Sequence, residues 1–435
     1  MQRYHKILFG LIMTVMLISP MAKVPIDLFG FTIMPLRGHI EYAEYPEFTI
    51  ESFFDGSFQE AYENYLEDHI GLRNIFVRLN NQIDFSLYQK PANPGIIVGK
   101  DKYLYERDYI DAYCGKNFVG QKVIDAQCDR IKAIQDTLVK LEIEFFIVMA
   151  PGKASMFPEF IPDQYLEDTF GITNNVAYLE GFQERGINHI DFNSLFYCMK
   201  DTSRFPLYHK CGIHWNQYGA LFALDSIISY IEAARNIDMT DIRYEAIELS
   251  EKPRGTDYDV GDALNLFFRI PDQAMPYPTK LMYDTKGKVK PSIMVIADSY
   301  YYTIFDLCEN RNIWNKHDFR FYDEIMFNWN HDIKKLPNAT IDELKKFDVI
   351  MILYSEMNMH MLSNRFIERA YARFYETWWL DQIKDRIRKD KNWLKNIEDK
   401  AAMKGNTLDE QIDLDAMWVL VTEMENELLK SNTDK

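Results

Sequence analysis

Two short segments carry the residue types for acyl-transfer chemistry. Ser299 follows Ala297-Asp298 at the end of the apolar run Ser292-Ile293-Met294-Val295-Ile296, and His214 lies in Gly212-Ile213-His214-Trp215-Asn216. A serine hydroxyl is a poor nucleophile until a neighbouring base takes its proton during attack. Imidazole is such a base, and a third group, normally a carboxylate, orients it. That carboxylate is missing from the histidine segment itself, where Cys211 and Gly212 come before Ile213. A backbone carbonyl or an acid from elsewhere must serve, and Asp257 and Asp259 are the candidate acids. Each feature also has a bland reading. Asp298 and Ser299 both suit a helix N-cap, and a lone histidine is more often a hydrogen-bonded structural residue. The pair read together, nucleophile and base, makes a shared site the stronger reading.

Positioning such residues takes a rigid frame, and the chain supplies the pattern for one. Helical periodicity over Val123–Leu141, Asn175–Arg185, Gln217–Ala234 and Ile341–Lys346 alternates with short apolar runs at Ile143–Met149, His189–Phe192, Ser292–Ile296 and Val349–Tyr354. This alternation predicts an α/β fold, a doubly wound and mainly parallel sheet with helices on both faces. Ligands in such sheets sit at the carboxyl ends of the strands. Pro151-Gly152-Lys153, Asp298-Ser299 and Ser355-Glu356 fall at such ends, which predicts that Pro151-Gly152-Lys153 walls the pocket. Lys153, Asp298, Trp215 and Glu356 are therefore candidate substrate-binding residues, against solvated or structural readings for Lys153 and Glu356 and core packing for Trp215. A hairpin is predicted over Gly95–Tyr105, around Gly99-Lys100-Asp101-Lys102. Ser57–Tyr88 reads as helical. Residues 236–290 show few regular signals and read as a long insertion near the carboxyl edge of the sheet. The segment from Arg365 onward reads as charged accessory helices, with no strands after residue 370.

Composition bounds the partners. The chain has 435 residues, 47% of them hydrophobic, and a net charge of −17. That is ample for a core, and the negative field disfavours nucleic acid. The Lys/Arg cluster at 384–391 is interrupted by Asp385 and Asp390 and reads as a solvated helix face. Arg3, His5 and Lys6 precede the apolar run Ile7–Ile18, which Ser19-Pro20 breaks. This pattern predicts an export signal, cleaved after Ala22 or retained as an anchor, and a protein of the periplasm or cell envelope. Five cysteines leave at least one thiol unpaired; Cys198–Cys211 and Cys114–Cys128 are the competing local disulfides. No zinc-type Cys/His spacing occurs, so neither metal nor cofactor is expected.

The same residues resemble a family. Gly56-Ser57-Phe58-Gln59, Tyr65 and Asp68-His69-Ile70-Gly71-Leu72-Arg73 look like the lead-in helix of the alginate O-acetyltransferase-like branch of the SGNH hydrolase superfamily, the AlgJ/AlgX and DHHW proteins. Val98–Tyr105 looks like its glycine-turn hairpin, and Ala150–Glu159 like its proline-lysine loop. His214-Trp215-Asn216 with Gly219-Ala220 resembles its histidine block, and Ala297-Asp298-Ser299 its nucleophile block. These five motifs run in the family's order across residues 50–360. The resemblance implies an SGNH-like fold and acyl transfer or deacylation at hydroxyls of an exported polysaccharide, with Ser299 as nucleophile and His214 as base. A membrane acyl-donor protein is an implied partner. The family places an aspartate where this chain has Gly212, and a glycine where it has Ala297, so weak activity is expected. The competing function is a non-catalytic glycan-binding or assembly protein on the same fold; a third is a scaffold whose C-terminal helices dock a membrane partner. The expected organisation is a signal over 1–22, a connector and lead-in helix over 23–89, the α/β domain over 90–360, and a helical extension over 361–435.

Overall fold

The uninterrupted apolar runs become the central strands. The computed structural model describes residues 2–18, 34–38, 41–166, 171–328 and 340–433. In chain order the strands are β1 (Ile96–Val98), β2 (Leu104–Glu106), β3 (Glu144–Ala150), β4 (His189–Asp191), β5 (Asp241–Ser250), β6 (Met275–Asp284), β7 (Ser292–Ala297), β8 (Lys316–Phe321), β9 (Ile325–Met326) and β10 (Val349–Ser355). The central sheet has the order β4-β3-β10-β7-β8-β9. It is parallel from β4 to β8, with β9 antiparallel at the edge. Both faces of β3, β7 and β10 are buried, which is why these strands read as continuous apolar runs without alternation.

One face of the sheet, carrying Val148, Val295 and Leu353, packs on helices 217–235 and 301–308. The opposite face, carrying Ile147, Ile296 and Ile352, packs on helices 121–140, 174–185 and 366–375. The fold is thus α/β with a doubly covered, mainly parallel sheet. Register sets Ala297 beside Leu353 and Ser355 beside Ala150. The segments that start at Pro151, Asp298 and Glu356 therefore leave from the same edge.

Several elements differ from the sequence expectation. Ser57–Tyr88 is two helices, Ser57–His69 and Arg73–Tyr88, broken where Leu72 takes a left-handed φ of 66°. Residues 236–290 contain a long antiparallel ribbon, β5 with β6, which also has a short helix at Asp259–Ala263 between its strands. Much of β5 is exposed, and β6 carries Pro276 and Pro278, which a two-stranded ribbon tolerates because every strand in it is an edge. Neither local disulfide forms: all five cysteines are free. Cys198 is exposed whereas Cys211 is buried, and Cys114 and Cys128 belong to the cores on opposite faces of the sheet.

At the N-terminus, Gln2–Ile18 is helical; Ser19, Pro20 and Ala22, which bound the expected export signal, lie outside the described residues. No helix among the described residues is long and apolar enough to cross a membrane. After β10 the described chain is helical, with helices at 366–375, 377–389, 391–404 and 408–433. Leu380, Ile383, Ile387, Ile397, Ile412 and Leu420 pack on one another in a small core of their own. The apolar positions of this extension thus turn largely inward, although Trp378 and Trp418 stay exposed.

Candidate active site

The turn that carries Ser299 is held by a buried carboxylate. Asp298 is fully buried. Its Oδ1 accepts from the Tyr300 N–H at 3.0 Å, and its Oδ2 accepts from the Ser355 N–H at 2.8 Å, the Ser355 hydroxyl at 2.7 Å and Asn358 Nδ2 at 2.8 Å. Asp298 is therefore a rivet between the ends of β7 and β10, and its carboxylate faces protein on every side. Ser299 comes next, partly exposed, two residues before the helix that begins at Tyr301.

The histidine block approaches from the other side. Asn216 caps helix 217–235, its Oδ1 accepting from the Gly219 N–H at 2.9 Å, which fixes the backbone just after His214. Trp215 is fully buried and donates from Nε1 to the Tyr300 carbonyl at 3.0 Å, while the Tyr300 hydroxyl donates to the Ile213 carbonyl at 2.9 Å. These two bonds run in opposite directions between the histidine block and the turn that carries Ser299. The Tyr300 ring also lies against the imidazole, centroids 4.9 Å apart. Trp215 thus belongs to the frame of the site, as core packing and as a hydrogen-bond donor.

His214 Nε2 lies 2.8 Å from Ser299 Oγ, and His214 Nδ1 lies 2.7 Å from Asp259 Oδ2. A carboxylate can only accept, so Nδ1 carries the hydrogen and Nε2 is left to accept from the serine hydroxyl. Asp259 is the first residue of its short helix. Its Oδ1 accepts from the Ile213 N–H at 3.0 Å and from the Val260 N–H at 2.7 Å. Of the two candidate acids the fold brings Asp259 to the imidazole and turns Asp257 away. Asp257 instead accepts from the Tyr277 hydroxyl and lies 3.0 Å from His209 Nε2.

Gly212 has a steric reason. A Cβ there would lie 2.5 Å from the Asp257 carbonyl oxygen. The acid-bearing segment packs against the histidine block where a side chain would otherwise project, and the Gly261 N–H donates to the Cys211 carbonyl at 2.9 Å.

The remaining candidates lie behind the site. Lys153 is fully buried, and its ammonium donates to the carbonyls of Lys210, at 2.7 Å, and Gly212. Burial pushes its pKa down to about 8, opposed by Cys211, Asp259 and Asp272. It ties down the histidine block from within and does not wall an open pocket. Glu356 is also buried, and burial pushes its carboxyl up to about 7 against weaker opposing contacts from Ser155 and the Gly152 amide. A Cβ at Gly152 would overlap the Glu356 carboxylate, which accounts for that glycine.

For His214, burial favours the neutral ring. The adjacent Asp259 charge and hydrogen bond, with Asp298 and Glu106 farther off, outweigh burial and raise its pKa above the ordinary histidine value. Glu106, at the end of β2, is itself raised by burial and by Asp259. Sequence reasoning missed Glu106, Tyr300 and His209. Tyr300 could have been flagged by its place directly after Asp298-Ser299, but nothing in the sequence points to the other two. As a whole the arrangement can activate a hydroxyl: an acceptor nitrogen is aimed at Oγ, and a fixed carboxylate supports the cation that proton transfer creates.

Residues 96–290 match the family described as "SGNH hydrolase-like domain, acetyltransferase AlgX". This span is therefore SGNH hydrolase-like, of the alginate O-acetyltransferase-like branch. It contains His214 and Asp259 and ends before Ser299. A probable alginate O-acetylase AlgJ of Pseudomonas syringae is 25% identical over 128 residues, 29% of this chain and 31% of that relative's length. The chain thus matches under a third of the relative. Among solved structures, the O-acetyltransferase domain of Pseudomonas putida AlgJ aligns with a TM-score of 0.41 and 11% identity, covering 64% of this chain and 99% of that one. Pseudomonas aeruginosa AlgX aligns with a TM-score of 0.42 and 13% identity, covering 64% and 67%.

Proposed function

We propose that this chain is an exported O-acyltransferase or acyl esterase acting on hydroxyls of a cell-surface or secreted polysaccharide, with Ser299 as nucleophile, His214 as base and Asp259 as orienting acid. The observation that carries the reading is the continuous relay from Asp259 Oδ2 through both imidazole nitrogens to Ser299 Oγ, at 2.7 and 2.8 Å. The match of residues 96–290 to an acetyltransferase family supports the acyl group as cargo and a glycan as acceptor. Export is supported by the basic flank and apolar run at residues 3–18. A membrane protein that hands over the acyl group is the partner such a reaction calls for.

In the first half-reaction Ser299 Oγ attacks the acyl carbonyl as its proton passes to His214 Nε2. The Nδ1–H donates to the Asp259 carboxylate, which stabilises the imidazolium. The Ser299 N–H, at the start of the turn into helix 301–308, is the natural first donor to the developing oxyanion. His214 returns the proton to the leaving group, and the acyl-serine remains. A sugar hydroxyl or a water then attacks the acyl carbonyl as His214 accepts its proton, and His214 returns that proton to Ser299 Oγ as the acyl–serine bond breaks. Which of the two attacks decides between transfer and hydrolysis.

The test is hydrolysis of p-nitrophenyl acetate and acetyl transfer to a polysaccharide by wild type, Ser299→Ala and His214→Ala. Wild-type turnover that falls about a thousandfold or more in both variants is expected. A wild-type rate that neither substitution reduces refutes the assignment, and glycan binding without turnover favours the non-catalytic reading.

A further inference from the structure

A second buried histidine–carboxylate contact runs beside the first. His209, five residues before His214 in chain order, places Nε2 at 3.0 Å from Asp257 Oδ2 and Nδ1 at 3.4 Å from Asp272 Oδ2. His209 and Asp257 are 3% and 4% exposed. Tyr277 of β6 donates its hydroxyl to Asp257 Oδ2, and the Arg254 N–H donates to the same hydroxyl oxygen at 3.1 Å. The Arg254 guanidinium covers the Tyr277 ring at 4.2 Å, and Asp272 Oδ2 accepts from the Lys210 N–H at 3.1 Å. The histidine block is thereby joined to the acid-bearing segment by two rungs: His209 to Asp257, and His214 to Asp259. Between the rungs the Asp257 carbonyl packs on Gly212.

From this geometry we infer that His209, Asp257 and Asp272 form a clasp that positions Asp259, so that His209 and Asp257 act on the reaction through the triad without touching the reacting atoms. The inference rests on the catalytic reading of Ser299, His214 and Asp259. Its physical basis is that Asp259 does not belong to the histidine's own segment. Its carboxylate is supplied by a short helix within the β5–β6 insertion, and an acid displaced by 1 Å no longer orients the ring. Buried ion pairs contribute little net stability, because the desolvation cost offsets the attraction. A clasp of this kind therefore serves to fix geometry. The charged and titratable groups facing His209 are Asp257, Asp272 and Tyr277, with Arg254 and Lys153 behind them; burial disfavours the imidazolium, and the two carboxylates raise its pKa in spite of it.

The test uses the full chain with Asp257→Asn, Tyr277→Phe and His209→Gln. Ser299-dependent hydrolysis of p-nitrophenyl acetate is followed from about pH 5 to 9. Asp257→Asn and His209→Gln are expected to lower kcat about tenfold or more with KM little changed. The acidic limb should move to lower pH, because His214 loses the field of a well-placed Asp259. Tyr277→Phe should show a smaller effect in the same direction, and it carries the test if the other two fail to fold. A mere loss of stability lowers the melting temperature but leaves the acidic limb where it was. Folded variants that keep kcat within about twofold of wild type, with an unmoved limb, overturn the clasp while the catalytic reading stands. If wild type itself shows no Ser299-dependent rate, the catalytic reading falls. The clasp is then judged by the downfield proton resonance of His214 Nδ1–H, which Asp257→Asn should abolish if the clasp holds Asp259 and should leave unchanged if it does not.

Discussion

Replacing Asp259 by asparagine would do more than remove a charge. In the native site Oδ1 accepts from two backbone N–H groups, of Ile213 and Val260, while Oδ2 accepts from His214 Nδ1. An asparagine keeps both backbone bonds only if its carbonyl oxygen takes the Oδ1 position. Its NH2 then points at Nδ1, so Nδ1 must become the acceptor and the ring hydrogen moves to Nε2. The nitrogen facing Ser299 Oγ becomes a donor, and the serine loses its base. An inverted tautomer of this kind lowers kcat by about 10⁴ in the serine-protease example, equivalent to about 5.5 kcal/mol of activation free energy. The pH profile supplies a second readout. In wild type the rate should fall as pH drops through the raised His214 pKa, because the imidazolium cannot accept a proton. Without the Asp259 charge burial dominates, so the residual activity of Asp259→Asn should persist to lower pH. The assay is kcat/KM for p-nitrophenyl acetate across pH, with Ser299→Ala as the blank. An Asp259→Asn rate within about tenfold of wild type, with the acidic limb unmoved, would refute the triad assignment.

Gly212→Asp restores the residue type that the family has at this position, yet it should destabilise by about 1–3 kcal/mol and fail to rescue Asp259→Ala, because its Cβ would meet the Asp257 carbonyl at 2.5 Å; rescue of hydrolysis would contradict this packing. Trp215→Phe removes the donor to the Tyr300 carbonyl and should lower kcat about tenfold with KM little changed, at a cost of about 1–3 kcal/mol in chemical denaturation for the orphaned buried acceptor. Glu356→Gln should be more stable than wild type above about pH 7. The native carboxyl, held near 7 in the fold, destabilises progressively as pH rises from its unfolded value of 4.5, so the advantage should vanish below that value; a difference of constant size across pH would refute it.

Legibility in the sequence followed burial. β3, β7 and β10 are covered on both faces, so their apolar runs stand out from the chain. β8 lies one step in from the sheet edge and carries His317, Asp318 and Arg320 among its six residues, so no apolar run marks it. The β5–β6 ribbon is half exposed and interrupted by proline, and it passed for irregular chain. Serine and histidine declared themselves because each adjoins a regular element. Asp257 and Asp259 could not be told apart, because they are two residues apart where a turn runs into a five-residue helix, too short for periodicity to say which carboxylate faces the histidine. Lys153 and Glu356 do lie at strand ends on the functional edge of the sheet. What the sequence does not reveal is that their side chains turn back into the protein, which depends on how the neighbouring loops close over them.

The position of the acid changes what the fold must do. An aspartate two residues before the histidine would be held by the same stretch of backbone, and its geometry would be almost local. Here the carboxylate reaches Nδ1 from a helix 45 residues further on, and its other oxygen bonds the Ile213 N–H beside the histidine. The backbone bond and the side-chain bond together reproduce locally what the missing neighbour would have provided. Glycine at 212 is then a requirement of this arrangement and not a relic of a lost acid, since the incoming segment occupies the space a side chain would need. On the proposed catalytic reading, the insertion that carries Asp257, Asp259, Asp272 and Tyr277 is for the same reason part of the frame of the site. Much of β5 is exposed, whereas a shift of residues 254–263 would take the Asp259 carboxylate with it.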